Sequence, residues 1–115
     1  MIGLPPSVQI FLAVEPVNLR LSFDGLAGLV RNQLGGEPLS GHLFVFRNRV
    51  GDRVKILYWD RSGMAMWYKR LQRGTFRLPD VTGPAAQITA ADLMLILEGI
   101  DLAGARRRKR FLLAA

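Results

Sequence analysis

The chain has 115 residues, half of them hydrophobic, no cysteine, and a formal net charge of +7 at pH 7. That length and apolar content allow one domain with its own core, and they exclude wholesale disorder and dependence on a metal or disulfide staple. The lack of cysteine excludes disulfides, thiolate metal sites and thiol catalysis, and fits a reducing compartment.

Charge is placed unevenly. Between residues 47 and 77, nine cations (Arg47, Arg49, Arg53, Lys55, Arg61, Lys69, Arg70, Arg73 and Arg77) stand against Asp52 and Asp60 only. A second block, RRRKR, comprises Arg106, Arg107, Arg108, Lys109 and Arg110, while the remainder has Arg20 and Arg31 against seven acids. Two basic blocks in an acidic remainder point to a polyanionic partner more than uniform basicity would.

In chain order, MIGLPPSVQIFLAVEP has no basic residue before its apolar run and is interrupted by Pro5 and Pro6. It reads as a strand over residues 8–14, not a signal peptide. No apolar run reaches the roughly 20 residues of a membrane span, so the expectation is a soluble, cytoplasmic protein with no membrane partner. Ser22 is a good N-cap, and Phe23, Leu26, Ala27, Val30 and Leu34 form an amphipathic stripe that Gly35-Gly36 ends. Gly25 and Gly28 each lower helix propensity by about 1 kcal/mol relative to alanine, and close approach of the helix to a sheet would account for them.

HLFVF (42–46) reads as a strand and RNRVGD as a turn. Residues 53–59 alternate, with Val54, Ile56 and Tyr58 on one face and Arg53, Lys55, Leu57 and Trp59 on the other. Asp60-Arg61-Ser62-Gly63 forms a four-residue hairpin loop, MAMWYKRL and TFRL give two more strands, and residues 79–84 form a linker. Thr89 and Asp92 have capping-box spacing before a second helix with Leu93, Ile96, Leu97 and Ile100 on its stripe. The order β-α-β-β-β-β-α predicts a single α+β domain over residues 1–104. Its antiparallel meander of four to five strands has two helices packed on one face, and residues 105–115 form a disordered basic tail.

Catalysis is not expected. The lone His42 follows Ser40-Gly41 at a strand start, with no nucleophile and orienting group beside it. Asp52 and Asp60 sit in turns and Asp24 and Asp92 in first helical turns, so the acids do not read as a convergent metal set. No phosphate-loop or dinucleotide glycine pattern is present. No metal site and no cofactor are predicted. Binding is the better-supported class: strand cations interleaved with Trp59, Trp67 and Tyr68 supply phosphate contacts and stacking surfaces. The alternative is that the cations coat a solvent face and discourage edge pairing while the aromatics are core. Five adjacent cations in RRRKR favour a counter-anion, nucleic acid in the first place.

The segments FDGLAGLV, SGHLFVFRNRVGDRVKILYWDRSGMAMWYKRLQRGTFRLP and ITAADLMLILEGID, together spanning roughly residues 2–102, resemble the TnpB family of bacterial insertion-sequence accessory proteins. These small proteins are encoded beside a transposase and are unrelated to the RNA-guided nuclease of the same name. The matching positions are Arg20, Phe23, Asp24, Gly25, Leu26, Gly41, Phe44, Phe46, Arg47, Lys55, Leu57, Trp59, Asp60, Gly63, Lys69, Arg70, Leu71, Gly74 and Phe76. One departure is Asn18-Leu19-Arg20, where the family usually carries an Asp-Met-Arg-type triplet; asparagine serves if that acid only caps the turn.

The resemblance implies an accessory to transposition and not the strand-cutting subunit. In the first reading Arg47, Arg49, Arg53, Lys55, Lys69, Arg70 and Arg73 contact phosphates at the element ends, with little base specificity, and Arg106, Arg107, Arg108, Lys109 and Arg110 add non-specific grip. A DNA-bound protein would then be associated with the nucleoid. In the second, Trp59, Trp67 and Tyr68 dock on the transposase or another small accessory protein.

Overall fold

The computed structural model describes residues 5–98. Its elements are β1 (Ile10–Ala13), α1 (Phe23–Asn32), a 3-10 turn (Pro38–Ser40), β2 (Leu43–Arg47), β3 (Arg53–Asp60), β4 (Gly63–Arg70), β5 (Ala85–Ile88) and α2 (Ala90–Glu98). The strands form one sheet in the order β4-β3-β2-β1-β5. The fold is α+β, as the element order predicts.

The expected meander is present in β2-β3-β4, whose neighbours are antiparallel. The sheet as a whole is mixed, because β1 lies parallel to β2, with Phe11 opposite Phe44, and antiparallel to β5, with Phe11 opposite Gln87. Parallel neighbours need a long crossover, and the segment holding α1 and the 3-10 turn supplies it. The hairpin between β3 and β4 is tighter than the four residues read from sequence. Asp60 pairs with Gly63, leaving Arg61-Ser62 as the loop, with Arg61 at φ 53°.

Two apolar layers flank the sheet, one on each face. On the first face, Ile10, Leu12, Leu43, Val45, Val54, Ile56 and Ile88 pack with Leu93, Ile96 and Leu97 of α2 and with Phe76. On the second, Ala13, Phe44, Phe46 and Leu57 pack with Leu26 and Val30 of α1 and with Leu19. The helices therefore cover opposite faces, not one. The reason is legible in β2: Leu43, Phe44, Val45 and Phe46 are all buried, and a continuous apolar strand needs cover on both sides.

Two strand assignments shift. Residues 75–78 are not a strand; Phe76 plugs the α2-side core, with its N–H donating to Gly51 O at 2.8 Å. The fifth strand is AAQI, a segment of weak β propensity that pairs with β1 through four residues and ends on the buried Ile88. The α1 glycines do not serve sheet contact either. A Cβ on Gly25 would meet Leu21 Cδ2 at 2.8 Å, and one on Gly28 would meet nothing within 4 Å.

The capping box of α2 is formed: Asp92 N–H donates to Thr89 Oγ1 at 3.0 Å, and Thr89 N–H donates to Asp92 Oδ2 at 3.3 Å. Thr89→Ala should lower stability by about 1 kcal/mol, read as a lower urea midpoint with unchanged slope. An unchanged midpoint would show that packing of Leu93, Ile96 and Leu97 alone fixes the start of α2. Among the described residues no helix is long and apolar enough to cross a membrane. The tail assigned to residues 105–115, with Arg106, Arg107, Arg108, Lys109 and Arg110, lies outside the described residues.

Candidate nucleic-acid interface

Strand alternation puts four rungs of β3 and β4 on the α1 side of the sheet: Trp59 opposite Met64, Leu57 opposite Met66, Lys55 opposite Tyr68, and Arg53 opposite Arg70. Toward the hairpin, Met64 and Met66 are half-buried at the margin of the α1 core. At the other end the face opens: Tyr68 is 49 % exposed, Arg70 is exposed and Arg53 is half-buried. Two arginines directly opposite on one face repel. Among the described residues neither guanidinium has a carboxylate oxygen within 4.0 Å; the one ion pair there joins Arg31 to Glu37 on the surface.

Two loops complete this end. In the turn after β2, Asn48 Oδ1 accepts from the Gly51 and Arg53 N–H groups, each at 3.0 Å, and Asn48 Nδ2 donates to Asp52 Oδ1 at 2.7 Å. Gly51 sits at φ 88°, a conformation glycine adopts without strain. The turn holds Arg49 exposed and Val50 71 % exposed at its tip. After β4 the chain folds back on the same turn, with Leu71 N–H donating to Asp52 O and Phe76 N–H to Gly51 O, both at 2.8 Å, and this segment carries the exposed Arg73. Arg49, Arg53, Arg70 and Arg73 thus belong to one end of the sheet.

Three other cations of the basic block go elsewhere, while Arg61 in the hairpin loop and Arg77 are exposed away from these contacts. Lys55 is 9 % exposed, and its ammonium donates to Leu19 O at 2.6 Å and Leu21 O at 3.0 Å while lying 5.0 Å from the Tyr68 ring centroid. It fastens the loop before α1 across the sheet and does not face solvent. Lys69 stands on the opposite face and donates to Leu97 O of α2 at 3.1 Å. Arg47 is half-buried; its Nη2 donates to Val14 O at 2.9 Å, and its Nε is buried without a partner among the described residues. These three hold elements together.

The aromatics divide likewise. Trp59 and Tyr68 share the α1 side, whereas Trp67 pairs with Ile56 and packs against the α2-side core. His42 is a strand-start acceptor: its Nδ1 takes the Gln9 N–H at 2.9 Å and its ring meets Phe11 edge-on. Among the described residues no group of three or more His, Cys, Asp or Glu is placed to hold a metal ion.

Two contributors escaped the sequence reading of the site. Arg20 is exposed on the loop that Lys55 fastens, between the two carbonyls it binds. Asn48 organises the turn; its signal was an asparagine three residues before Gly51, where an Asx side chain can stand in for a backbone acceptor. Asn18 performs the turn role left open for it, its Oδ1 accepting the Arg20 N–H at 3.0 Å. Between these loops, Pro16, Val17, Asn18, Leu19, Asn48, Arg49 and Val50 line an open groove of about 380 Å³.

These features define a small three-layer α+β domain with four arginines, none in an ion pair among the described residues, at one end of a mixed sheet. The chain belongs to the family described as IS66 Orf2 like protein, which matches residues 8–107. The family suggests an accessory role in insertion-sequence transposition and is generally not catalytic. The chain is 35 % identical over 108 residues to the uncharacterized protein y4jC of Sinorhizobium fredii (strain NBRC 101917 / NGR234), covering 94 % of this chain and 92 % of that one. It is 39 % identical over 95 residues to the uncharacterized protein y4hO of the same organism, covering 83 % of each. No solved structure matches significantly.

Proposed function

We propose that the protein is a non-enzymatic accessory that binds DNA through the Arg49, Arg53, Arg70 and Arg73 end of its sheet, with Arg20 at the border, and thereby assists its transposase at the element ends. The observation that carries this reading is the Arg53–Arg70 pair: two cations directly opposite, neither in an ion pair among the described residues. A phosphate between them would relieve a repulsion already present in the free protein, and guanidinium groups suit bidentate phosphate contact. Arg106, Arg107, Arg108, Lys109 and Arg110 add sequence-independent attraction. Lys55, Lys69 and Arg47 drop out of the contact set, because each is committed to a carbonyl inside the fold. Phosphate contacts position without reading sequence, so base specificity is expected to come from the transposase.

The test is the salt dependence of duplex binding. Each phosphate neutralised contributes about −0.9 to the log–log slope, so a five-cation tail acting alone gives a slope no steeper than about −4.5. The full chain should exceed that, and deletion of residues 106–110 should leave measurable binding. Arg53→Gln with Arg70→Gln should flatten the slope by about 1.8. Complete loss of binding on tail deletion, with no effect of the double substitution, would move the interface off the sheet.

A second reading rests on the same face. Trp59, Met64, Met66 and Tyr68 form a partly exposed apolar stripe, and aromatics beside arginine are frequent protein-interface anchors. In that case the domain is an adaptor for the transposase or another accessory protein. Capture of the transposase with no duplex binding at low salt would favour it.

A further inference from the structure

We infer that the nucleic acid this face takes is unpaired: a single strand whose base stacks on Tyr68 while its phosphates lie on Arg53 and Arg70. The inference rests on the DNA-binding reading above and names the substrate class of the same site.

The first argument is shape. The cations lie on a sheet face, between the open part of β4 and the loop that covers Lys55, and do not project from a helix. Five strands at about 4.8 Å spacing make a sheet about 19 Å across, and helices pack on both of its faces. A major groove is about 12 Å wide and admits one helix or a two-stranded ribbon. The face can touch duplex phosphates, but it cannot carry Tyr68 to the base edges. A single strand brings its bases to the protein.

The second argument is the state of the ring. Tyr68 is 49 % exposed yet held at two points: Lys55 Nζ lies 5.0 Å from its centroid, and Arg53 Nη1 donates to its hydroxyl at 3.4 Å. With an ammonium against one side, the exposed area lies on the other side and the edge. Such a ring is oriented before any ligand arrives, which lowers the ordering cost of stacking. Stacking on aromatic side chains is sequence-tolerant because every base has a π-face.

The third argument is spacing. The Arg53–Arg70 rung is one alternation step, about 7 Å, from the Tyr68 rung on the same face. A nucleotide stacked on the ring therefore places its backbone within reach of both guanidinium groups. Charge complementarity and a stacking platform fall on one patch, a combination that single-strand binding uses and duplex binding does not need.

Fluorescence anisotropy on the full chain tests this, with a labelled oligothymidine of roughly 12 nucleotides and a duplex of equal length at the same ionic strength. Wild type should prefer the single strand. Tyr68→Ala should weaken single-strand binding about tenfold and duplex binding less than about twofold, whereas Tyr68→Phe, which keeps the ring and loses the hydroxyl, should stay near wild type. Circular dichroism confirms that the variants fold. Equal losses on both ligands, or duplex binding at least as tight as single-strand binding in wild type, would overturn the inference and leave the DNA-binding reading standing. Absence of binding to either ligand overturns both. If Tyr68→Ala impairs only capture of the transposase, the face is a protein interface and the inference fails.

Discussion

Lys55→Met should lower the unfolding free energy by about 3 kcal/mol in urea denaturation. Methionine keeps most of the apolar stem and removes the ammonium, so the change isolates the charged hydrogen bonds to Leu19 O and Leu21 O. Hydrogen bonds to a charged group contribute about 1.5–3 kcal/mol each, and the cation–π contact with Tyr68 adds about 0.5–1 kcal/mol. Relief from burying an ammonium offsets part of the sum. The same variant separates two roles for this residue. If Lys55 neutralised a DNA phosphate, its loss would flatten the salt slope by about 0.9 with little change in stability. If it fastens the Arg20 loop, stability falls and the slope moves only as far as Arg20 is displaced. A loss below about 1 kcal/mol with a clearly flatter slope would return Lys55 to the contact set and remove it from the fold's supports.

Lys55 also marks where sequence reasoning stops. Alternation correctly placed it with Arg53, Leu57 and Trp59 on one face, because period two is a local property of an extended chain. Whether that face meets water depends on a segment 34 to 36 residues away crossing over it, and no local pattern encodes that. The same limit explains Trp67 and Lys69. Both sit on the alternate face of β4, turned toward the α2-side elements, although their composition matches that of Tyr68 and Arg70. Features with local causes were legible: the α2 capping box, the breaker residues of the turn at 48–52, and the α1 stripe of Leu26 and Val30.

The sheet order was less accessible for a related reason. β5 is a four-residue strand of alanine and glutamine closed by Ile88. Its strand state comes from pairing with β1 and not from its own propensity. TFRL has the better strand composition, yet Phe76 contributes more by filling the α2-side core than by extending a ladder. The one sequence cue to the two-sided architecture was the unbroken apolar run LFVF, and it lies in the strand that both helix layers depend on. The basic patch was legible as charge but not as a set: of seven strand and turn cations nominated as contacts, Arg49, Arg53, Arg70 and Arg73 share the sheet end, while Arg47, Lys55 and Lys69 hold backbone carbonyls.

Asn48→Ala should cost about 2–3 kcal/mol and should loosen the arginine-bearing end before the rest of the fold. One side chain satisfies the Gly51 and Arg53 N–H groups and ties down Asp52. Each such bond is worth about 0.5–1.5 kcal/mol net, and leaving a part-buried N–H without a partner costs more than the bond contributes. The segment 71–76 depends on this turn in its turn, since Leu71 and Phe76 bond to the Asp52 and Gly51 carbonyls. Loss of the asparagine therefore frees Arg49, Arg53 and Arg73 together. Amide hydrogen exchange should accelerate first at Gly51 and Arg53, then at Leu71 and Phe76, while β1 and β5 keep near-native protection. DNA affinity should fall even where the protein remains folded, because guanidinium groups that must be ordered on binding contribute less than those held in place. Uniform acceleration across the sheet would mean that the turn has no separate stability. Unchanged DNA affinity in the folded variant would mean that the rigid turn serves the fold alone.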